Sequence, residues 1–124
     1  KRIKENADIT LVRYKKANQV AKRRLKTAKR LLQENNKELF YEEIERASWT
    51  YLSDRLFIPT AELNKENISQ VLLDKGVNEK TIQDVIDVLS TAEFSRYAPT
   101  TDYEMQKMYD LTTQIINELE GQKL

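Results

Sequence analysis

The chain contains no cysteine and no histidine, only two glycines and two prolines, and no apolar run near the roughly 18 to 20 residues that cross a bilayer. Without cysteine there is neither a disulfide framework nor a thiolate site. Without histidine the commonest general acid or base at neutral pH is missing, and with it most zinc sites and most nucleophile and base pairs. Gly76 and Gly121 stand too far apart to build a phosphate-cradling loop, and no stretch follows the ligand pattern of a calcium-binding EF-hand. Carboxylates gather at Glu42-Glu43-Glu45 and in the stretch 79–93, where they read as solvated helix faces rather than as a pair tuned for acid and base work. The composition therefore predicts no enzyme, no metal and no cofactor.

What is present is charge, and it is divided. Residues 1–34 hold twelve Lys/Arg against three Asp/Glu, a net of +9; residues 35–124 hold nine against seventeen, a net of −8. Within the basic part, the spacing from Arg13 to Leu32 puts Leu11, Tyr14, Ala17, Val20, Ala21, Leu25, Ala28, Leu31 and Leu32 on one half of a helix. Lys15, Lys16, Lys22, Arg23, Lys26, Lys29 and Arg30 take the other half. Two readings stay open for that cationic face: complementarity to the acidic body of the same chain, or exposure for an anionic partner such as a protein, a lipid leaflet or nucleic acid. Arg13 and Arg24, at the edge of the apolar arc, are expected to pair with carboxylates of the body.

In chain order, a polar and frayed segment at 1–7 leads to a first helix capped by Asp8 and running from Ile9 to about Glu34, long enough for its first turns to project. Asn36 caps a second helix over 37–57, antiparallel to the first, with Phe40, Ile44, Ala47, Tyr51 and Arg55 at helical spacing and Trp49 in the widened apolar stripe. Pro59 makes 58–60 a linker, followed by a single turn at 60–63. Asn64 is expected to cap a short helix over 65–75, closed by Gly76, and Asn78 to cap a fourth that reaches Tyr97 through Ile82, Val85, Ile86, Leu89, Ala92 and Phe94. The pair resembles a ubiquitin-associated or helix-hairpin-helix unit only superficially, since Asp74 and Asp84 flank the one glycine where phosphate contact would need open amides. Phe94-Ser95-Arg96-Tyr97-Ala98-Pro99 predicts a helix end locked to the core by Phe94 and Tyr97, with an ion pair from Arg96 and an exit fixed by Pro99. Thr101 and Glu104 form a capping box for a fifth helix that ends before Gly121. The expectation is an all-α bundle of about five helices: a basic segment 1–7, one domain over 8–121 with a hairpin at 8–57 and helices at 64–97 and 101–120, and a loose tail at 122–124. The hairpin has tetratricopeptide character, but no second copy follows near a period of 34.

Four words carry a resemblance: KRIKEN at the start, RYKKANQVAKRRLKTAKRLL, Trp49-Thr50-Tyr51-Leu52-Ser53-Asp54-Arg55-Leu56, and Phe94-Ser95-Arg96-Tyr97-Ala98-Pro99. In this order and spacing the chain resembles the C-terminal cytoplasmic region of the BatD family, encoded with the Bacteroides aerotolerance proteins, from Lys1 to about Glu120. Ser95 stands where that family would have alanine. The resemblance implies a scaffold anchored in the bacterial inner membrane, with a transmembrane helix and a β-rich extracytoplasmic region preceding Lys1 and this domain on the cytoplasmic side. It further implies partners resembling von Willebrand factor A-domain and tetratricopeptide proteins, a role in oxygen tolerance, and no catalytic activity.

Overall fold

A computed structural model describes residues 2–122, with side chains from Leu11 to Gln122. Among the described residues there are five helices, one 3₁₀ turn and no strand: α1 (Arg2–Gln33), α2 (Lys37–Leu56), α3 (Ile68–Asp74), α4 (Glu79–Ser95) and α5 (Asp102–Glu120). The architecture is the all-α bundle that the apolar periodicity predicts.

α1 begins six residues before the expected cap, so Asp8 lies inside the helix. Residues 2–7 continue the helix rather than fray; their side chains lie outside the described residues, as do Lys1 and the expected tail at Lys123 and Leu124. At 1.5 Å per residue α1 is about 48 Å long against about 30 Å for α2. Asn35, at φ +57°, turns the chain in the left-handed region that asparagine tolerates, and Asn36 then accepts from the Leu39 amide at 3.4 Å. The two helices come close because Ala17, Ala21, Ala28 and Ala47 carry nothing larger than a methyl into their contact, and all four are buried. α2 ends at Phe57, whose φ of +57° is strained for a bulky residue. Its ring is held by stacking on Tyr14 at 5.9 Å, with the Arg13 guanidinium 4.1 Å from its centroid. Past that level α1 carries Leu11 and Val12 exposed to solvent.

The second half of the chain wraps around α2. The Thr60–Glu62 turn follows Pro59 as expected. Asn64 does not cap α3. Instead Asn64 and Asn67 exchange backbone amide to side-chain bonds at 3.0 and 2.9 Å, which winds a turn first and delays α3 to Ile68. Gly76, at φ +84°, closes α3 with Val77 N–H donating back to Leu72 at 3.1 Å, and buried Val77 plugs the turn. Asn78 caps α4 through the Thr81 amide at 2.8 Å, and the Thr101–Glu104 capping box opens α5. The intervening loop is tied to α2 twice, by Lys37 Nζ donating to Ala98 O at 2.6 Å and by the Tyr41 and Thr100 hydroxyls at 3.0 Å.

α2 is the axis of the bundle, touching α1, α4 and α5, while α3 packs on α4. Among the described residues α1 packs against α2 and α5 and touches neither α3 nor α4. The core runs through Phe40, Ile44, Leu52, Ile68, Leu72, Val88, Leu89 and Leu119, all buried.

Candidate interaction surface

Each of Lys15, Lys16, Lys22, Arg23, Lys26, Lys29 and Arg30 is exposed on the side of α1 turned away from α2 and α5. Among the described residues only Arg30 of these seven has a carboxylate within salt-bridge distance, Glu34 at 3.7 Å on its own helix. The acidic body therefore does not neutralise the row. Among the described residues the ion pair that crosses from α1 to the body belongs to Arg24, at the edge of the arc, whose Nη1 meets Glu43 Oε1 at 3.3 Å. Arg13, expected to pair likewise, lies over the Phe57 ring. The row rises about 22 Å along a straight helix and presents Lys22, Lys26, Lys29 and Arg30 at i,i+3 and i,i+4 spacings, where like charges repel by a few tenths of a kcal/mol per pair.

The second cluster is buried. Arg55, 2% exposed, lies under the Tyr14 ring at 4.3 Å and reaches the end of α5. Its Nη1 donates to Glu120 Oε2 at 2.6 Å, to the Tyr51 hydroxyl at 2.8 Å and to Leu119 O at 3.0 Å; its Nη2 donates to Gln122 O at 2.7 Å. The Tyr51 hydroxyl in turn donates to Glu120. Burial first, and then that bond to Glu120, push the Tyr51 hydroxyl well above its ordinary range, so it stays a donor at any physiological pH. Gln122, expected in a loose tail, is thus held to the body. This node joins α1, α2 and α5 and is structural: Nη1 and Nη2 are spent on Tyr51 and on the carbonyls and carboxylate of the α5 terminus, while the buried Nε has no hydrogen-bond partner among the described residues.

The word around Arg96 is built differently from the expectation. Phe94 and Tyr97 are each 74% exposed and do not lock the end of α4 to the core. The inward stripe of α4 is Val85, Val88, Leu89, Ala92 and Ser95, and at 100° per residue Phe94 stands on the opposite side. α4 also ends at Ser95, before Tyr97. The ion pair does form: Arg96 reaches Glu42 at 3.6 Å and Glu45 at 3.4 Å, anchoring α4 to α2. Pro99 is exposed beyond it, in the loop leading to α5. Trp49, half-buried, lines an open groove with Glu42, Glu45, Arg46 and Arg96.

Burial raises the Glu45 carboxyl above its ordinary value of 4.5, with Arg96 pulling it back down and Glu93 and Glu42 adding to the rise. A carboxyl raised in the folded state costs stability when ionised, and that cost fades as pH falls through the folded value toward 4.5. Glu45→Gln is therefore expected to match or exceed the stability of the original chain at pH 7, since Glu42 still holds Arg96. The difference in urea midpoints should close below pH 4.5.

Among the described residues no three Asp or Glu converge as a metal site would require. The cavity among Tyr51, Leu52, Val85, Ile115 and Leu119 holds about 10 Å³, room for one water at most. No described helix is long and apolar enough to cross a membrane. The chain matches no family model, no curated protein and no solved structure.

Proposed function

We propose that the chain is a non-enzymatic protein-interaction module that docks through the cationic face of α1, and that it is the cytoplasmic domain of a membrane-anchored scaffold of the BatD type. The single observation that carries the docking surface is the unneutralised row: a body of opposite net charge leaves Lys15, Lys16, Lys22, Arg23, Lys26 and Lys29 without a carboxylate partner among the described residues. Mutual repulsion along that row is a standing cost that an anionic partner relieves. The membrane anchor, the oxygen-tolerance role and the von Willebrand factor A-domain or tetratricopeptide partners rest on the resemblance of the four sequence words.

The test replaces Lys22, Arg23 and Lys26 by glutamate together, all three exposed on the outer face of α1. Captured from an envelope extract at 150 mM salt, acidic proteins bound by the original chain should fall at least tenfold with K22E/R23E/K26E. Identical captured sets would end the proposal. Vesicles with 30% anionic lipid, against neutral ones, report whether a leaflet competes for the same face, with a gain of about 1 kcal/mol per basic residue only within a Debye length of the surface.

The rival reading, phosphate contacts to nucleic acid, shares the cationic row. It predicts that a labelled 20-base-pair duplex binds with an affinity falling steeply in salt and indifferent to sequence. The row has no aromatic side chains between its cations for stacking on bases, and the remainder of the chain is acidic.

A further inference from the structure

The cationic row has an apolar end. At 100° per residue Val12, Lys16, Gln19, Arg23, Lys26 and Arg30 form one line on the outer face of α1, with Leu11 beside Val12. Leu11 and Val12 are 54% and 64% exposed, and every residue of the line is exposed. On the opposite side of the bundle α4 presents a line of the same kind and the opposite sign. Lys80, Gln83, Asp87, Thr91 and Phe94 share its outer face, flanked by Glu79 at one end and Tyr97 at the other. Lys80 is occupied by Asp84 at 2.9 Å, which leaves Asp87 and Glu79 as the exposed charges without a Lys or Arg partner. Residues 60–95 as a whole carry seven carboxylates and three lysines.

Deepening the docking reading of the previous subsection and resting on it, we infer that the anionic partner of α1 is the α4 face of a second copy of this chain. The two lines are close in length: residues 12 to 30 of α1 rise about 27 Å and residues 79 to 95 of α4 about 24 Å. They match in pattern only when the helices run antiparallel. Leu11 and Val12 of one copy then meet Phe94 of the next, with Tyr97 just beyond it, Gln19 falls level with Asp87, Lys16 and Arg23 lie one turn to either side of it, and Glu79 falls between the levels of Lys26 and Arg30, beside a Lys80 that Asp84 holds. Exposed aromatic faces also attract the Lys and Arg that slide past them. A net charge of +1 gives two copies almost no overall repulsion to overcome. Because α1 and α4 make no contact among the described residues and pack on opposite sides of α2 and α5, one pair of copies cannot satisfy both faces at once. The contact is heterologous, so it adds copies head to tail rather than closing as a dimer.

Sedimentation equilibrium of the whole chain between 10 µM and 500 µM tests this. In 25 mM NaCl the weight-average mass should climb past that of a dimer with concentration. In 500 mM NaCl, where the Debye length shrinks from about 20 Å to about 4 Å, it should fall to the monomer. K16E/R23E and E79K/D87K should each stay monomeric, and an equimolar mixture of the two should associate again at low salt, because their reversed faces complement one another. Phe94→Ser should weaken association at least threefold with both charge lines intact. A chain that stays monomeric at 500 µM in 25 mM NaCl overturns the inference, as does a charge-swapped mixture that fails to associate. If such a monomer still captures acidic proteins through α1, the docking face stands and only its self-partner falls; if it captures none, both fall.

Discussion

Replacing Arg55 with alanine is expected to destabilise the fold by about 3 kcal/mol, the lower end of what breaking a buried ion pair costs, because Glu120 retains some access to water. The loss has two parts. Tyr14 and Tyr51 lose the planar group packed beside them, the Gln122 carbonyl loses its donor, and the Leu119 carbonyl and the Glu120 carboxylate are left with the Gln122 N–H and the Tyr51 hydroxyl alone. With a urea slope near 2 kcal/mol/M the midpoint should drop by about 1.5 M. Combining Arg55→Met with Glu120→Gln should recover more than half of that, since it removes the stranded charge and keeps an apolar filling under Tyr14. A drop under about 0.5 M for Arg55→Ala would mean that the α5 terminus is held by packing and not by the guanidinium.

Ala28→Leu is expected to cost about 2–3 kcal/mol, toward the upper end for an overpacked core. Ala28 is fully buried where α1 meets α2, and alanine and leucine are both good helix formers, so propensity cannot supply a difference of that size. The added atoms have to push the two helices apart along the line of Ala17, Ala21 and Ala47. Lys29→Leu, one residue on and exposed, should change the midpoint by less than about 0.5 kcal/mol equivalent. Equal effects from the two substitutions would mean that the hairpin is not closely packed there.

The turns and caps were legible in the sequence because they are local. Asn36, Gly76, Asn78 and the Thr101–Glu104 box each act within four residues of themselves, and each does what its type predicts. Arg55 was also legible as a member of the buried stripe, since it continues the spacing of Phe40, Ile44, Ala47 and Tyr51. Its partners were not, because Glu120 lies 65 residues away and nothing local names it. The misplacement of Phe94 has a different cause. Residue type suggested burial, while helical angle placed it half a turn away from Val85 and Ala92; the angle was the better guide. Arg96, the polar neighbour, is the side chain that goes inward to Glu42 and Glu45. Asn64 misled because an asparagine can close a turn with another asparagine as readily as it can cap a helix.

For the cationic face, periodicity located all seven exposed residues, but whether the acidic body would cover them depended on tertiary distances. Only the packing of α1 against α2 and α5, away from α3 and α4, answers that.

α1 runs from Arg2 to Gln33 without a glycine, a proline or a break in its helical backbone. A rod with no hinge transmits direction as well as position. Whatever grips its first turns therefore sets the compass bearing of the whole charged row and of the bundle bolted to it.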